Sequence, residues 1–124
     1  MLNSRQLLGK KGEEIAVKAL SGKGYTVLAR NYRCRLGEID IIARDRNALV
    51  FIEVKTRRSS NFGTAAAAVT SKKQMQISRV AQYYLLEKKI SHVDARFDVV
   101  EINGSGNSYF EVNHIINAFD LKAL

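Results

Sequence analysis

Two strand-like segments decide the fold of this chain: Gly37-Glu38-Ile39-Asp40-Ile41-Ile42 and Leu49-Val50-Phe51-Ile52-Glu53-Val54-Lys55-Thr56-Arg57. The polar residues Asp45-Arg46-Asn47 between them favour a turn. Each segment is mostly apolar but carries charge in its middle, where a strand that is buried on both faces should be apolar. This contradiction marks the hairpin as the place to look for a functional site.

The alternation of side chains along a strand tells which of these charges share a face. Ile39 and Ile41 share one face of the first segment, and Asp40 points to the other face. In the second segment Glu53 and Lys55 share a face and lie roughly 6–7 Å apart along the strand. If the two segments form an antiparallel hairpin, Asp40 lies near Glu53. Two carboxylates and one ammonium group would then converge on one patch.

Two carboxylates at this distance disfavour joint ionisation unless a cation neutralises them. A hard divalent metal ion with oxygen ligands would supply the neutralisation and leave Lys55 to face a phosphate or a water. The alternative is an exposed ion pair on the wet face of an antiparallel sheet, which is the commoner setting for any single strand charge. Phe51 and Ile42 share the faces of these charges, so the surface is mixed, as the floor of a cleft would be.

Further motifs with glycines, charged residues and aromatic residues extend along the chain. In metal-dependent nucleases an Asp is followed, about a dozen residues later, by Glu-x-Lys, and Asp40 and Glu53-Val54-Lys55 have this spacing. The other motifs are Gly9-x-x-Gly12-Glu13-x-x-Ala16, Arg30-Asn31-Tyr32-Arg33, Gly37-Glu38-Ile39-Asp40, Phe62-Gly63, Arg96-Phe97-Asp98-Val99-Val100 and Asn117-Ala118-Phe119. Together they resemble the YraN family of predicted endonucleases, of the restriction-endonuclease-like PD-(D/E)xK superfamily, which is similar to archaeal Holliday-junction resolvases. The chain departs from the family after Phe62-Gly63, where it has Ala65 to Ala68 instead of a proline and a glutamate.

The resemblance implies a metal site built from particular residues. Asp40 and Glu53 would bind Mg²⁺ or Mn²⁺, with the Val54 carbonyl as a further ligand. The helix glutamate of the family corresponds to Glu13, which would complete the site directly or through water. Lys55 would orient the attacking water or stabilise charge on the phosphorus centre.

Residues 4–20 predict the first helix, with Asn3 or Ser4 as its N-cap. Glu13 falls on the buried stripe of that helix, whereas Glu14 lies on its wet face. A rim glutamate that is held by a lysine is the equally weighted alternative to a metal ligand at Glu13.

The 20 Lys and Arg residues outnumber the 12 Asp and Glu residues, which gives a net charge of +8 and a pI near 9.8. Residues 1–58 carry 13 basic and 6 acidic side chains, so most of the excess belongs to the half with the charged strands. A basic surface favours polyanionic partners such as DNA, although it also suits a protein that is simply soluble. The candidate phosphate contacts are Arg30, Arg33, Arg35, Arg57 and Lys73.

The remaining elements complete the expected order α-β-β-β-α-β-β. The remaining segments are strand Tyr25–Tyr32, helix Ala65–Lys89, strand Asp94–Ile102, turn Asn103–Ser108 and strand Tyr109–Ile116. The helix is predicted from an apolar stripe that consists of Val69, Ile77, Val80, Ala81, Tyr84 and Leu85. This order predicts one α/β domain over residues 1–124, with a mixed sheet flanked by helices. The resemblance implies a restriction-endonuclease-like core.

The other polar residues are expected to be structural. Asp98 most simply has a hydrogen-bonding role, and His92 and His114 lack the spacing of metal ligands. The single cysteine, Cys34, cannot form an internal disulfide, and no signal or membrane segment is recognisable, so we expect a cytoplasmic protein.

These observations favour a metal-dependent DNA endonuclease, and the resemblance to junction resolvases implies branched or junction DNA as its substrate. A non-catalytic nucleic-acid-binding module would explain the charge but gives no reason for Asp40, Glu53 and Lys55 to occur together. A structural subunit, suggested by the apolar residues from Tyr83 to Leu86, is a third hypothesis. Because junction resolvases act as symmetric pairs, the resemblance also favours a homodimer.

Overall fold

The chain folds in the expected order of one helix, three strands, one helix and two strands. The computed structural model describes residues 2–57, 69–104 and 109–121. Its elements are α1 (Ser4–Gly22), β1 (Thr26–Cys34), β2 (Gly37–Asp45), β3 (Ala48–Arg57), α2 (Ser71–Glu87), β4 (Asp94–Gly104) and β5 (Phe110–Phe119). Neither of the two helices in these ranges is long and apolar enough to span a membrane.

The five strands form one sheet in the order β1-β2-β3-β4-β5. β3 and β4 are parallel because α2 connects them as a crossover, and the other three neighbouring pairs are antiparallel. The prediction of a mixed sheet with helices is confirmed.

The two helices pack on opposite faces of the sheet. Ala16 and Leu20 of α1 lie in one buried cluster with Ile52 of β3, whereas Val80 of α2 lies in a second cluster with Phe51. Because side chains alternate along β3, the strand supplies both clusters. The same alternation places the face that carries Glu53 and Lys55 on the α2 side.

Capping residues set the limits of α1. Asn3 is the N-cap, as expected, and it forms a capping box in which its side chain accepts from the Gln6 N–H and the Gln6 side chain accepts from the Asn3 N–H. The helix continues to Gly22, two residues beyond the predicted end, and Gly24 follows with φ +91°. A left-handed residue just after a helix favours glycine, which explains this choice.

The second helix does not include residues 69 and 70, so the predicted start at Ala65 is wrong for these two described residues. Val69 is buried but not helical, and Thr70 is the N-cap, with its hydroxyl accepting a hydrogen bond from the Lys73 N–H. A threonine side chain satisfies a free N–H of the first turn and so begins the helix one residue later, at Ser71. Residues 65–68 of the prediction lie outside the described ranges.

The residues of the predicted α2 core stripe are mostly confirmed. Ile77, Val80, Ala81 and Tyr84 are buried, and Leu85 is partly buried. Leu86, which the predicted stripe does not include, is 79% exposed. Since Tyr84 belongs to the core, less apolar surface is left for a partner than the third hypothesis supposed.

Three strands are longer than the sequence predicted. β1 extends to Cys34 because that residue pairs with Gly37, and β5 extends to Phe119, which pairs with Phe97. β4 continues to Gly104, so the expected turn at 103–108 begins later than predicted; its residues 105–108 lie outside the described ranges. Pairing with a neighbouring strand extends a strand beyond its local sequence signal.

The prediction that Ile39 and Ile41 share a face is wrong. Ile39 packs with Ile42 in the cluster on the α2 side, whereas Ile41 packs on the α1 side. The alternation is interrupted at Asp40, beyond which β2 pairs only with β1. The strand is therefore free to turn away from β3 at this residue.

We expect two glycines of α1 to respond oppositely to alanine. At Gly12 the helix approaches β3 so closely that a methyl group would collide with the Thr56 side chain, whereas no atom of the described residues lies within 4 Å of a methyl group at Gly9. Gly12→Ala should lower the free energy of unfolding by about 1–3 kcal/mol. Gly9→Ala should raise it by about 0.5–1 kcal/mol, because alanine is the better helix former. Urea denaturation of both variants checks this, and a stable Gly12→Ala variant would contradict the close approach.

Candidate functional site

The sheet forks between β2 and β3, and the two predicted carboxylates stand at the fork. Pairing of the two strands runs from Asp45–Ala48 to Ile41–Ile52 and ends there. Asp40 and Glu53 are the next residue on each strand. The Asp40 Oδ2 atom accepts a hydrogen bond of 2.8 Å from the Val54 N–H, so a side chain takes the place of the missing strand partner.

Asp40 and Glu53 are brought together as the hairpin geometry predicted. Their side chains share a hydrogen bond, and Glu53 is only 8% exposed. Burial, and then the charge of Asp40, raise the pKa of Glu53 to about 7. Burial also raises the pKa of Asp40, against the opposing effect of the Val54 N–H. The hydrogen bond between them raises the pKa of Glu53 and lowers that of Asp40, which favours a proton on Glu53 that is donated to Asp40.

Two lysines contribute positive charge to this pair. Lys55 shares the strand face of Glu53 and favours its ionised form, as expected. Lys73, which projects from the first turn of α2, acts on both Asp40 and Glu53. The structure thus places Lys73 where its charge acts on both carboxylates. The Val54 carbonyl as a ligand stays a prediction.

Glu13 and Glu14 differ in the way the helix pattern predicted. Glu14 is exposed and forms an ion pair of 3.2 Å with Arg30. Glu13 is partly buried, and its Oε1 atom is buried and has no hydrogen-bond partner among the described residues. Burial raises the pKa of Glu13, and the charge of Asp40 raises it further. The side-chain hydrogen bond of Glu13 is to Asn31, so the alternative of a glutamate held by a lysine is not what the structure shows.

The chemistry of these carboxylates suits a divalent cation. Within the described ranges no group of three or more His, Cys, Asp or Glu side chains is arranged to hold a metal ion. The candidate donors are the carboxylates of Asp40 and Glu53. Glu13 is a third candidate, because the charge of Asp40 acts on it and its Oε1 atom has no hydrogen-bond partner among the described residues. All these donors are oxygens, which favours Mg²⁺ or Mn²⁺ over softer metals.

Basic side chains follow the surface on both sides of the fork. Arg30, Arg33 and Lys10 line a cavity of about 540 Å³ together with Glu13. A second cavity, of about 330 Å³, is lined by Arg33 and Lys73. Because Arg33 borders both cavities, the two are neighbours on one cleft. Such a cleft is an electrostatic path for a polyanion.

The other predicted phosphate contacts differ in availability. Arg33 is mostly exposed but forms an ion pair of 2.8 Å with Glu38. Arg35 lies exposed in the turn between β1 and β2. The Nε atom of Arg57 lies 3.9 Å from the buried Oε2 atom of Glu101, which makes Arg57 the weakest of these candidates.

The sequence did not reveal Glu101 as part of this region. Glu101 is 2% exposed and stands opposite Lys55 in the parallel pairing of β3 with β4. In the part of the chain that the structure describes, its Oε2 atom and the Oδ1 atom of Asn103 are buried and have no hydrogen-bond partner. Strand alternation gave the face of Glu101, but the register of a parallel pair depends on the crossover and carries no local signal.

A second polar cluster lies around Asp98 and is structural. Asp98 is fully buried, and Arg96 donates two hydrogen bonds of 3.0 Å to its carboxylate. The Asn117 N–H donates a third bond, and His114 Nε2 lies 2.8 Å from Oδ2. Burial tends to raise the pKa of Asp98, but these hydrogen bonds outweigh it and hold the pKa below its ordinary value. The expected hydrogen-bonding role of Asp98 is confirmed.

The same cluster connects distant strands. Arg96 also donates to Tyr25 at 2.7 Å and to Asp45 at 3.2 Å, so it joins β4 to the residue before β1 and to β2. Lys23 lies 2.9 Å from His114 Nδ1. An ammonium group can only donate, so Nε2 of His114 carries the ring proton and donates to Asp98. His114 thus has a structural role that its sequence position did not indicate.

We expect the pH dependence of stability to reveal the proton on Glu53. The pKa of Glu53 is raised from 4.5 to about 7 in the folded protein, so the folded state holds this proton more tightly than the unfolded state in that window. The free energy of unfolding should therefore fall as the pH rises from 4.5 to 7, by about 3 kcal/mol.

Glu53→Gln removes the titrating group, so the variant should lose this fall and be the more stable protein at pH 8. Urea denaturation in EDTA at pH 5 and pH 8 measures it. Parallel pH profiles of wild type and variant would contradict the assignment.

Comparison with known proteins gives the family. The family model described as "Uncharacterised protein family UPF0102" matches residues 12–102. A UPF0102 protein of Geotalea daltonii is 50% identical over 119 residues, covering 96% of this chain and 94% of the relative. A UPF0102 protein of Alkaliphilus oremlandii is 52% identical over 114 residues, covering 90% and 97%. These matches confirm the family part of the resemblance, and the chain belongs to the UPF0102 family.

Proposed function

We propose that this protein is a metal-dependent nuclease that hydrolyses DNA phosphodiester bonds. The observation that carries the proposal is the fork at Asp40 and Glu53. The partly buried Asp40 and the buried Glu53 share a hydrogen bond there, and the positive charges of Lys55 and Lys73 act on the pair. In a structural set of ion pairs each carboxylate would bond to an ammonium group, whereas here the two carboxyl groups bond to each other. Two adjacent carboxyl groups with a raised pKa are expected at a site where a divalent cation would neutralise them.

The arrangement of the sheet supports a restriction-endonuclease-like core. The hairpin of β2 and β3 carries the Asp and the Glu-x-Lys motif, and α1 places Glu13 where the charge of Asp40 acts on it. The resemblance to the PD-(D/E)xK superfamily implies this placement of Glu13 on α1, Asp40 on β2 and Glu53 on β3. The close approach at Gly12, one residue before Glu13, gives a physical reason for the glycine of that motif.

In this mechanism Asp40 and Glu53 would hold Mg²⁺ or Mn²⁺, and Glu13 would contribute directly or through water. When bound, the ion would act as a Lewis acid toward the phosphate. Glu53 would give up its proton on binding the ion. Lys55 would donate a hydrogen bond to the attacking water or to a phosphate oxygen, and Lys73 would offset negative charge from the α2 side.

The cleft supports DNA as the polyanionic partner. Its basic side chains lie on both sides of the fork, so phosphates before and after the scissile one would each meet positive charge. Contacts of this kind release counterions, so affinity should fall steeply with salt.

The wider setting follows from the same resemblance. We infer a homodimer as the active form, by analogy with junction resolvases. The free thiol of Cys34, which is partly buried, suits a reducing cytoplasm.

The direct test is a panel of end-labelled DNA substrates with wild-type protein: linear duplex, nicked duplex, flap and four-way junction. Incubation with Mg²⁺ or Mn²⁺ should give cleavage of at least one substrate, and EDTA should abolish it. Binding to DNA without cleavage of any substrate in either metal would favour the non-catalytic binding module instead.

A further inference from the structure

A third cavity, of about 560 Å³, lies between the tip of the β1–β2 hairpin and the beginning of α2. Leu36 at the hairpin tip and Met75 of α2 give it an apolar surface. Lys72, Lys73 and Arg79 add three cationic side chains from one side of α2. The cavity therefore joins an apolar floor to a positively charged rim.

The cavity has a fixed place beside the carboxylate pair. Gly37 lies so close to α2 that a methyl group there would be 2.8 Å from the Gln76 side chain, so the hairpin tip and the helix are in close contact. Gln76 and Lys73 line this cavity and also its neighbour, which Glu38 borders. Glu38 lies two residues before Asp40 on β2. A ligand in the cavity would thus lie next to whatever occupies the fork.

The lining selects the chemical class of the ligand. A phosphate ion would not make apolar contacts with Leu36 and Met75, and a purely apolar ligand would not bind the three cationic side chains. A nucleotide has both parts, a flat base and a phosphate, and the volume lies within the range of small-molecule sites. The faces of a base in intact duplex are covered by its neighbours, so only an unstacked base could lie on Leu36 and Met75.

We propose that this cavity binds one unstacked nucleotide of the DNA strand whose adjacent phosphate lies at Asp40 and Glu53. The assignment rests on the proposed nuclease function and narrows its substrate class. The protein should prefer DNA with an unpaired nucleotide, as in a bulge, flap or single strand, over uninterrupted duplex.

The test uses two duplexes of equal length that contain 2-aminopurine, in one paired with thymine and in the other unpaired in a bulge. Binding is measured by anisotropy in EDTA, so that metal binding and cleavage play no part. Wild type should bind the bulged DNA about tenfold more tightly, which corresponds to one base contact. The 2-aminopurine fluorescence of the bulged DNA should rise as the base leaves the stack.

Two variants with the same charge change locate the effect. Leu36→Asp places a carboxylate on the cavity floor and should remove the preference for bulged DNA. Leu86→Asp, at the far end of α2 and 79% exposed, should keep it. Both leucines are exposed, and circular dichroism shows whether each variant is folded.

Equal binding of the two DNAs by wild type would overturn the cavity assignment while leaving the nuclease proposal standing, and this comparison needs no variant. An equal loss of preference in both variants would also overturn it. Free deoxyadenosine monophosphate that competes fully would assign the cavity to free nucleotides instead. Failure to bind either DNA in EDTA would also overturn the cavity assignment, since the cavity should bind an unpaired nucleotide without metal; the cleavage panel tests the nuclease proposal separately.

Discussion

Asp40→Asn and Lys55→Ala are each expected to reduce Mn²⁺-dependent DNA cleavage by about a hundredfold or more. Asparagine keeps an oxygen that can accept the Val54 hydrogen bond, so the fork should persist, but it removes the negative charge that a divalent cation needs. Alanine at position 55 removes the ammonium group beside Glu53. Single-turnover rates on the best substrate of the panel measure both losses.

Matched control variants separate these losses from general effects of charge. Asp94→Asn and Lys18→Ala make the same chemical changes at exposed positions away from the fork, and their rates should stay within about threefold of wild type. Circular dichroism and thermal unfolding should show that all four variants are folded. Metal-dependent cleavage by both Asp40→Asn and Lys55→Ala at the wild-type rate would remove the basis for the proposed mechanism.

Asp98→Asn is expected to lower the free energy of unfolding by about 3–5 kcal/mol, because it breaks a buried ion pair and leaves Arg96 without its charged partner. The new amide group would also place donors against the donors of Arg96 and His114. Urea denaturation at pH 7 measures the change. Asp94→Asn, at the exposed start of β4, is the control and should change stability by less than about 0.5 kcal/mol.

A loss below about 1 kcal/mol in Asp98→Asn would mean that the cluster contributes little, as exposed ion pairs do. The structure argues otherwise, since Asp98 has no exposed surface and His114 packs edge to face on Tyr25.

Local periodicity was sufficient for the order and type of the elements. It placed Glu13 rather than Glu14 on the buried side of α1, and it brought Asp40 near Glu53, because a short hairpin fixes its own register. Local patterns did not predict where strands end, since pairing with a neighbour extends β1 to Cys34 and β5 to Phe119.

The remaining features depend on contacts between segments far apart in sequence. Glu101 meets Lys55 only because α2 sets the parallel register of β3 and β4. Asp98 could be assigned a hydrogen bond from its buried strand, but its partner His114 lies on β5. The separation of Ile39 from Ile41 follows from the fork itself, which alternation along one strand cannot show.

The most direct test of the metal site is calorimetric titration of Mn²⁺ into wild type and Asp40→Asn, at pH 6 and pH 8, in buffers of different ionisation enthalpy. Binding to the pair should displace the proton of Glu53, whose pKa is about 7. Wild type should therefore release about one proton per Mn²⁺ at pH 6 and close to none at pH 8. Asp40→Asn should show no binding. Absence of binding in wild type, or equal binding by Asp40→Asn, would contradict a metal site at the fork.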